Sequence, residues 1–123
     1  MITLDQIKLS EHVCSPPNNK GSWYVANLID RTKTEPVIEY NLDLMSINLD
    51  VKVWEVDNVF GFLSHTKRIN EANLDLPVIV SAEGWILDGW HRVCKAILNG
   101  HKEIKAVRFI TNPEFDYFNN EEK

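Results

Sequence analysis

The chain has 123 residues, a formal net charge of −5 and a pI near 5.3, long enough to bury roughly two-thirds of its unfolded surface in one core. Its acidity argues against general affinity for nucleic acid, which depends on Lys and Arg displacing phosphate counterions. Two distant cysteines, Cys14 and Cys94, exclude a disulfide scaffold, no apolar run approaches the roughly 20 residues that span a bilayer, and the N-terminus Met1-Ile2-Thr3-Leu4-Asp5-Gln6 lacks signal-peptide character, so a cytoplasmic setting without a membrane is expected.

In chain order, Ile2 to Leu9 reads as a short strand or a turn of helix, and Ser15-Pro16-Pro17-Asn18-Asn19-Lys20-Gly21 as a loop. Ser22 is placed to cap a short helix from Trp23 to Arg31, with Trp23 or Tyr24 and Leu28 on its buried side; Pro36 closes that unit. From Val37 the period becomes two, with Ile38, Tyr40, Leu42 and Leu44 alternating against Glu39, Asn41 and Asp43 as in a half-buried strand. The alternation resumes out of phase at Ile47, Leu49, Val51 and Val53, which places a bulge or tight turn near Met45 and Ser46.

Asp57 or Asn58 is placed to cap a helix running to about Asn70, in which Val56, Val59, Phe60 and Leu63 form one apolar face. Pro77 to Val80 and Trp85 to Leu87 read as a hairpin about Ser81-Ala82-Glu83-Gly84. Trp90, Val93, Cys94 and Ile97 then make the stripe of a helix that Asn99-Gly100 ends, and Ile104 to Ile110 supplies a last strand. The pattern predicts a single domain of mixed α/β or α+β class with a small mixed sheet and flanking helices, over residues 1–112. An acidic aromatic tail follows over 113–123, expected to pack on its own domain, cover a partner or fray.

The junction Asp88-Gly89-Trp90-His91-Arg92 joins the second hairpin strand to this helix. A helix N-terminus offers unpaired N–H groups and the positive end of a dipole, glycine permits close approach, and His91 and Arg92 bring donors, so the ligand type suggested is a phosphate. The segment from Gly89 to Phe109 carries +4 on a chain whose remainder carries −9, which suits a small anion better than a long polyanion. Asp88 has two roles open to it: accepting from the N–H of Trp90 or His91 as a cap, or helping to hold Mg²⁺. Trp90 falls in phase with the apolar stripe, as a core anchor does, although a base-stacking platform would use the same side chain. Cys94 on that stripe reads as an inert small hydrophobe, and His12 with Cys14 lacks a second ligand pair for zinc. His65, Lys67 and Arg68 follow the apolar face of the middle helix, where a C-terminal cluster of cations complements the dipole, and reaching the ligand is a second role open to them.

The run Leu76 to Phe109, with its strand, turn, strand, Asp-Gly-x-His-Arg, helix, Asn-Gly and closing strand, resembles the ParB/sulfiredoxin-like superfamily. That resemblance implies a stand-alone domain of ParB N-terminal type whose box cradles nucleotide phosphates, with Gly89, Trp90, His91 and Arg92 as cofactor-binding residues and Asp88 beside them. Three departures narrow the implied activity. Trp90 stands where sulfiredoxins carry a nucleophilic cysteine, so sulfinic acid reduction is not expected. Thirteen residues follow Ile110 where partitioning proteins append a helix-turn-helix module, so sequence-specific DNA binding is not expected either. Their arginine-containing box also has no match from Leu49 to Asp57.

What remains resembles the small phosphotransferases of the superfamily, the free-serine kinases among them. The expectation is therefore binding of a nucleoside di- or triphosphate with magnesium, with phosphotransferase or NTPase activity at the box. Asp88 and His91 are the candidate catalytic residues, and no motif identifies a general base. Two alternatives are a non-catalytic regulatory or protein-interaction module, with a protein partner or a homodimer, and a DNA-associated or nuclease-type protein of the same fold.

Overall fold

The last strand, expected from Ile104 to Ile110, forms over Glu103–Phe109 and organises the larger sheet. The computed structural model describes residues 13–16 and 20–118; the expected Ile2 to Leu9 element, His12 and the last five residues lie outside them. Its elements are β1 (Val13–Cys14), β2 (Gly21–Tyr24), α1 (Val25–Thr34), β3 (Val37–Asp43), a 3-10 turn (Leu44–Ser46), α2 (Val59–Glu71), β4 (Val78–Val80), β5 (Ile86–Asp88), α3 (Trp90–Leu98), β6 (Glu103–Phe109) and β7 (Tyr117–Phe118). The fold is a small single-domain α+β fold with two sheets. No helix among the described residues is long and apolar enough to cross a membrane.

The larger sheet has the order β3-β6-β4-β5. β3 and β6 pair antiparallel from Val37↔Phe109 to Asp43↔Glu103, whereas β4 and β6 run parallel. A parallel pair needs a crossover connection, and α3 provides it. Alternate residues serve opposite faces of the sheet. Val78, Val80, Ile104 and Ala106 pack with Val93 and Ala96 of α3, and Ile79, Leu87, Val107 and Phe109 pack with Trp23 and Leu28 on the other side. The β4–β5 hairpin is the one expected, its turn braced by Trp85 N–H donating to Ser81 Oγ at 3.0 Å.

Three expectations are corrected. Ser22 does not cap a helix from Trp23: Gly21–Tyr24 is a strand, and α1 starts at Val25 with Tyr24 as an N-cap that makes no side-chain bond. The cause is non-local, because β2 sits between β1 and β7 and is paired on both sides. Ser22 is buried there, with its Oγ 2.6 Å from Ser15 Oγ. Secondly, the alternation from Ile47 to Val53 forms no strand, and Leu49, Val51 and Val53 are exposed. Among the described residues β3 lies at the sheet edge and no further strand pairs with the segment; period two specifies a strand only where a partner exists. The tight turn expected near Met45 and Ser46 is the 3-10 turn.

Thirdly, α2 forms where expected, with Asn58 Oδ1 accepting from Gly61 N–H at 2.8 Å, but none of its residues is buried. Its first turns leave Val59 73% and Phe62 60% exposed, and Val56, Phe60 and Leu63 are exposed as well. What holds α2 is its contact with α3, where Lys95 Nζ donates to the last carbonyls of α2, Asn70 O at 3.0 Å and Ala72 O at 2.8 Å.

Residues 113–118, the described part of the expected acidic aromatic tail, pack on their own domain by folding back on β2. Trp23 Nε1 donates to Pro113 O at 3.1 Å, Tyr24 N–H donates to Asp116 Oδ2 at 2.7 Å, and the Trp23 and Phe115 rings lie 4.6 Å apart.

Candidate functional site at the start of α3

The apolar strand β5 ends at Asp88, and Gly89 turns the chain into α3 with φ 113° and ψ 17°. That conformation favours glycine, and so does the space: a Cβ there would lie 2.5 Å from Val78 Cγ1. The close approach draws the first turn of α3 onto β4, and Val93 N–H donates to Gly89 O at 2.9 Å as the helix begins.

Asp88 does not cap this helix, contrary to one expectation. Arg92 Nη2 donates to Asp88 Oδ2 at 3.0 Å and to Pro77 O at 3.4 Å, and the two charged side chains are only 18% and 23% exposed. Arg92 in the first turns of α3 reaches back over Gly89 to the end of β5, and a charge-assisted bond is stronger than a bond to a neutral amide. Arg92 is thus engaged by Asp88 and Pro77 and is not among the residues that line the cleft described next, and its Nε is buried without a partner among the described residues.

A cleft of about 980 Å³ opens at the start of α3, lined by Gly89, Trp90 and His91 together with Trp54, His65 and Arg68. His65 of α2 and His91 of α3 meet through Nδ1 and Nε2 at 2.9 Å. Trp54, from the segment between the 3-10 turn and α2, lies face to face with both imidazoles, 4.4 Å from each centroid and tilted by 19° and 16°. Trp90 packs partly buried on the core, as an anchor does, and it also lines the cleft.

Burial, aided by the Arg68 guanidinium, pushes the pKa of His65 below its ordinary value. His65 is therefore a neutral donor or acceptor at neutral pH, and the bond to His91 uses one ring as each. Lys52 also lines the cleft and is paired with Glu55 at 2.9 Å, while Lys67 is paired with Glu71 away from it.

Among the described residues lining the cleft, Asp88 is the one carboxylate, and its Oδ2 is committed to Arg92. Among the described residues no group of three or more His, Cys, Asp or Glu is placed to hold a metal ion. This donor set fits a protein-held magnesium poorly.

Neither thiol is a nucleophile here. Burial raises Cys94, and burial with the charges of Asp88 and Asp116 pushes Cys14 from 9.0 up to about 12. Three pH units of displacement cut the thiolate at Cys14 roughly a thousandfold. Iodoacetamide at about pH 8 is accordingly expected to label the folded protein far more slowly than the urea-unfolded chain. Equal rates would refute the assignment. The sign of the linkage follows: the folded thiol holds its proton more tightly, so this contribution to stability is complete below the unfolded value of 9.0 and is lost as pH rises toward 12.

Sequence reasoning named Gly89, Trp90 and His91 at the cleft and missed Trp54 altogether, because that residue lies in irregular chain where periodicity carries no signal. The pairing of His65 with His91 depended on α2 packing against α3, a tertiary fact. Compared with known proteins, the chain matches no family model, no curated protein and no solved structure.

Proposed function

We propose that the cleft binds a nucleoside di- or triphosphate, its phosphates directed to the first turn of α3. The observation that carries this reading is the juxtaposition of a helix N-terminus with the stacked Trp54, His65 and His91 rings and Arg68 around one cleft. Amides, an imidazole pair and a guanidinium suit phosphate oxygens, and the indoles of Trp54 and Trp90 suit a base. The volume lies within the range of small-molecule sites. The order β4, β5, α3, β6 supports the likeness of this region to the ParB/sulfiredoxin-like box. Arg92 supports the site from behind by holding Asp88, and magnesium enters as a companion of the phosphates.

ADP, ATP or CTP with magnesium is expected to raise the melting temperature, since a ligand selective for the folded state stabilises it by about 2.7 kcal/mol at a hundred times its Kd. Arg68→Ala and His91→Ala are expected to remove most of that rise. A flat response across the panel at millimolar concentration would defeat the reading. Phosphate release, or transfer to small hydroxyl acceptors in the same samples, separates an enzyme from a sensor. A regulatory module with a protein partner is the second reading, and the observation favouring it is the uncovered apolar first half of α2. Binding of nucleotide without turnover is its expected signature.

A further inference from the structure

A second cavity, of about 380 Å³, opens where the chain returns to β2, and its walls are aromatic. Phe115 and Phe118 stand at 72° to one another with centroids 5.8 Å apart, so they form a corner, and Trp85, the residue before β5, lines the same space. Behind Phe115 lies Trp23, 4.6 Å away and 3% exposed, its indole N–H shared between Pro113 O at 3.1 Å and Glu114 O at 3.2 Å. Phe115 rests on Gly21, where any Cβ would overlap its ring. That wall is therefore held in place by the fold before a ligand arrives. Among the described lining residues the charged side chains are both carboxylates, Glu83 and Glu114. Asn112 Nδ2 donates to Glu83 Oε1 at 2.8 Å, and this bond before any other cause lowers the pKa of Glu83, which is thus ionised at neutral pH. Arg108, whose charge also acts on Glu83, donates to Ala82 O and is not part of the lining.

Ring faces carry negative charge and ring edges positive, so an aromatic corner with carboxylates beside it is complementary to a cation whose own surface is apolar. A bare ammonium such as that of Lys is compact and strongly hydrated, and it gives up much in leaving water. A methylated ammonium carries the same charge beneath a shell of methyl groups, which suits the rings and the carboxylates together. We propose that this cavity binds a methylated ammonium group, of the class found in choline and trimethyllysine, with its methyls against Phe115, Phe118 and Trp85 and its charge toward Glu83 and Glu114. The rings carry the recognition, and the sign of the lining charge selects a cation over a neutral group of equal shape. The volume suits a small headgroup. The inference stands apart from the nucleotide reading, although Trp85 lines both cavities.

The test titrates choline chloride into the ¹⁵N-labelled full chain at constant ionic strength, with 3,3-dimethylbutan-1-ol, the uncharged isostere of choline, titrated in parallel. Choline is expected to bind about tenfold more tightly than the alcohol. Its N-methyl ¹H resonance should move upfield over the ring faces, and the Trp23 indole N–H signal should shift with it. Phe118→Ala, at a side chain 75% exposed, is expected to weaken choline binding about fivefold. Glu83→Gln is expected to weaken choline about threefold and to leave the alcohol unchanged. If Phe118→Ala does not fold, Glu83→Gln and the comparison of the two ligands decide. Equal affinity for choline and the alcohol would show a merely apolar hollow and overturn the inference. Absence of any shift at about 20 mM choline overturns it as well, as do shifts confined to the nucleotide cleft. A short peptide bearing trimethyllysine forms the last arm: binding about tenfold tighter than choline assigns the ammonium group to a protein chain, and binding no tighter assigns it to a small molecule.

Discussion

Gly89→Ala is expected to destabilise the protein by about 3 kcal/mol, the sum of two costs that meet at one Cβ. A non-glycine residue in left-handed backbone costs about 1–2 kcal/mol, and forcing an extra carbon into a packed core costs about 1–3 kcal/mol. Both apply here, because φ is 113° and the new carbon would stand 2.5 Å from Val78 Cγ1 and 3.1 Å from its Cα. Val78 cannot give way easily, since it is fully buried in the strand that pairs with β6. Against a typical stability of about 5–15 kcal/mol, the loss lowers the melting temperature by about 10 °C. Gly100→Ala is the control: its φ is 81° and nothing lies within 4 Å, so it bears the backbone cost alone. Urea unfolding of both variants checks the argument, and a Gly89→Ala loss no greater than that of Gly100→Ala would sink it.

Arg92→Ala ranks next, at about 2–3 kcal/mol. Removing one partner of a buried ion pair costs about 3–5 kcal/mol because the other charge stays behind uncompensated, and residual exposure of 18% and 23% scales this down. Pro77 O loses a donor at the same time. Asp88→Asn is expected to recover part of the loss in the double variant, with a coupling of about 1 kcal/mol or more in a double-mutant cycle. Additive effects would show that the pair is incidental. Arg92 does not line the cleft, so any fall in nucleotide affinity on its removal should follow the fall in stability. Arg68→Ala is expected to do the reverse, losing ligand while keeping the fold.

The parts of the fold that the residues disclosed are those governed by near neighbours. The β4–β5 turn, the glycine before α3, the stripe of Val93 and Ile97, and the Asn58 cap are all local instructions that tertiary structure leaves intact. The parts that misled are those where distant chain decides. Gly21–Tyr24 became a strand because Val13–Cys14 and Tyr117–Phe118 pair with it, and Ile47 to Val53 failed to become one because no strand among the described residues lies beyond β3. The Asp88–Arg92 pair was within reach of the sequence, being separated by four positions, but a carboxylate before a helix reads first as a cap. Trp54 over the two histidines was beyond reach, since three separate segments must converge to make it.

The place of β6 in the sheet also sets an order of events as the chain is made. Among the described residues β3 pairs with β6 alone, and β4 reaches β3 across β6. During synthesis, Val37–Asp43 therefore waits without a partner until Glu103–Phe109 has left the ribosome, while the β4–β5 hairpin and the helices form earlier. Pairings that close so much intervening chain are slow to form, and an unpaired strand invites association with other chains meanwhile. The larger sheet is therefore completed only once β6 is available to join β3 to β4, however early the other elements form.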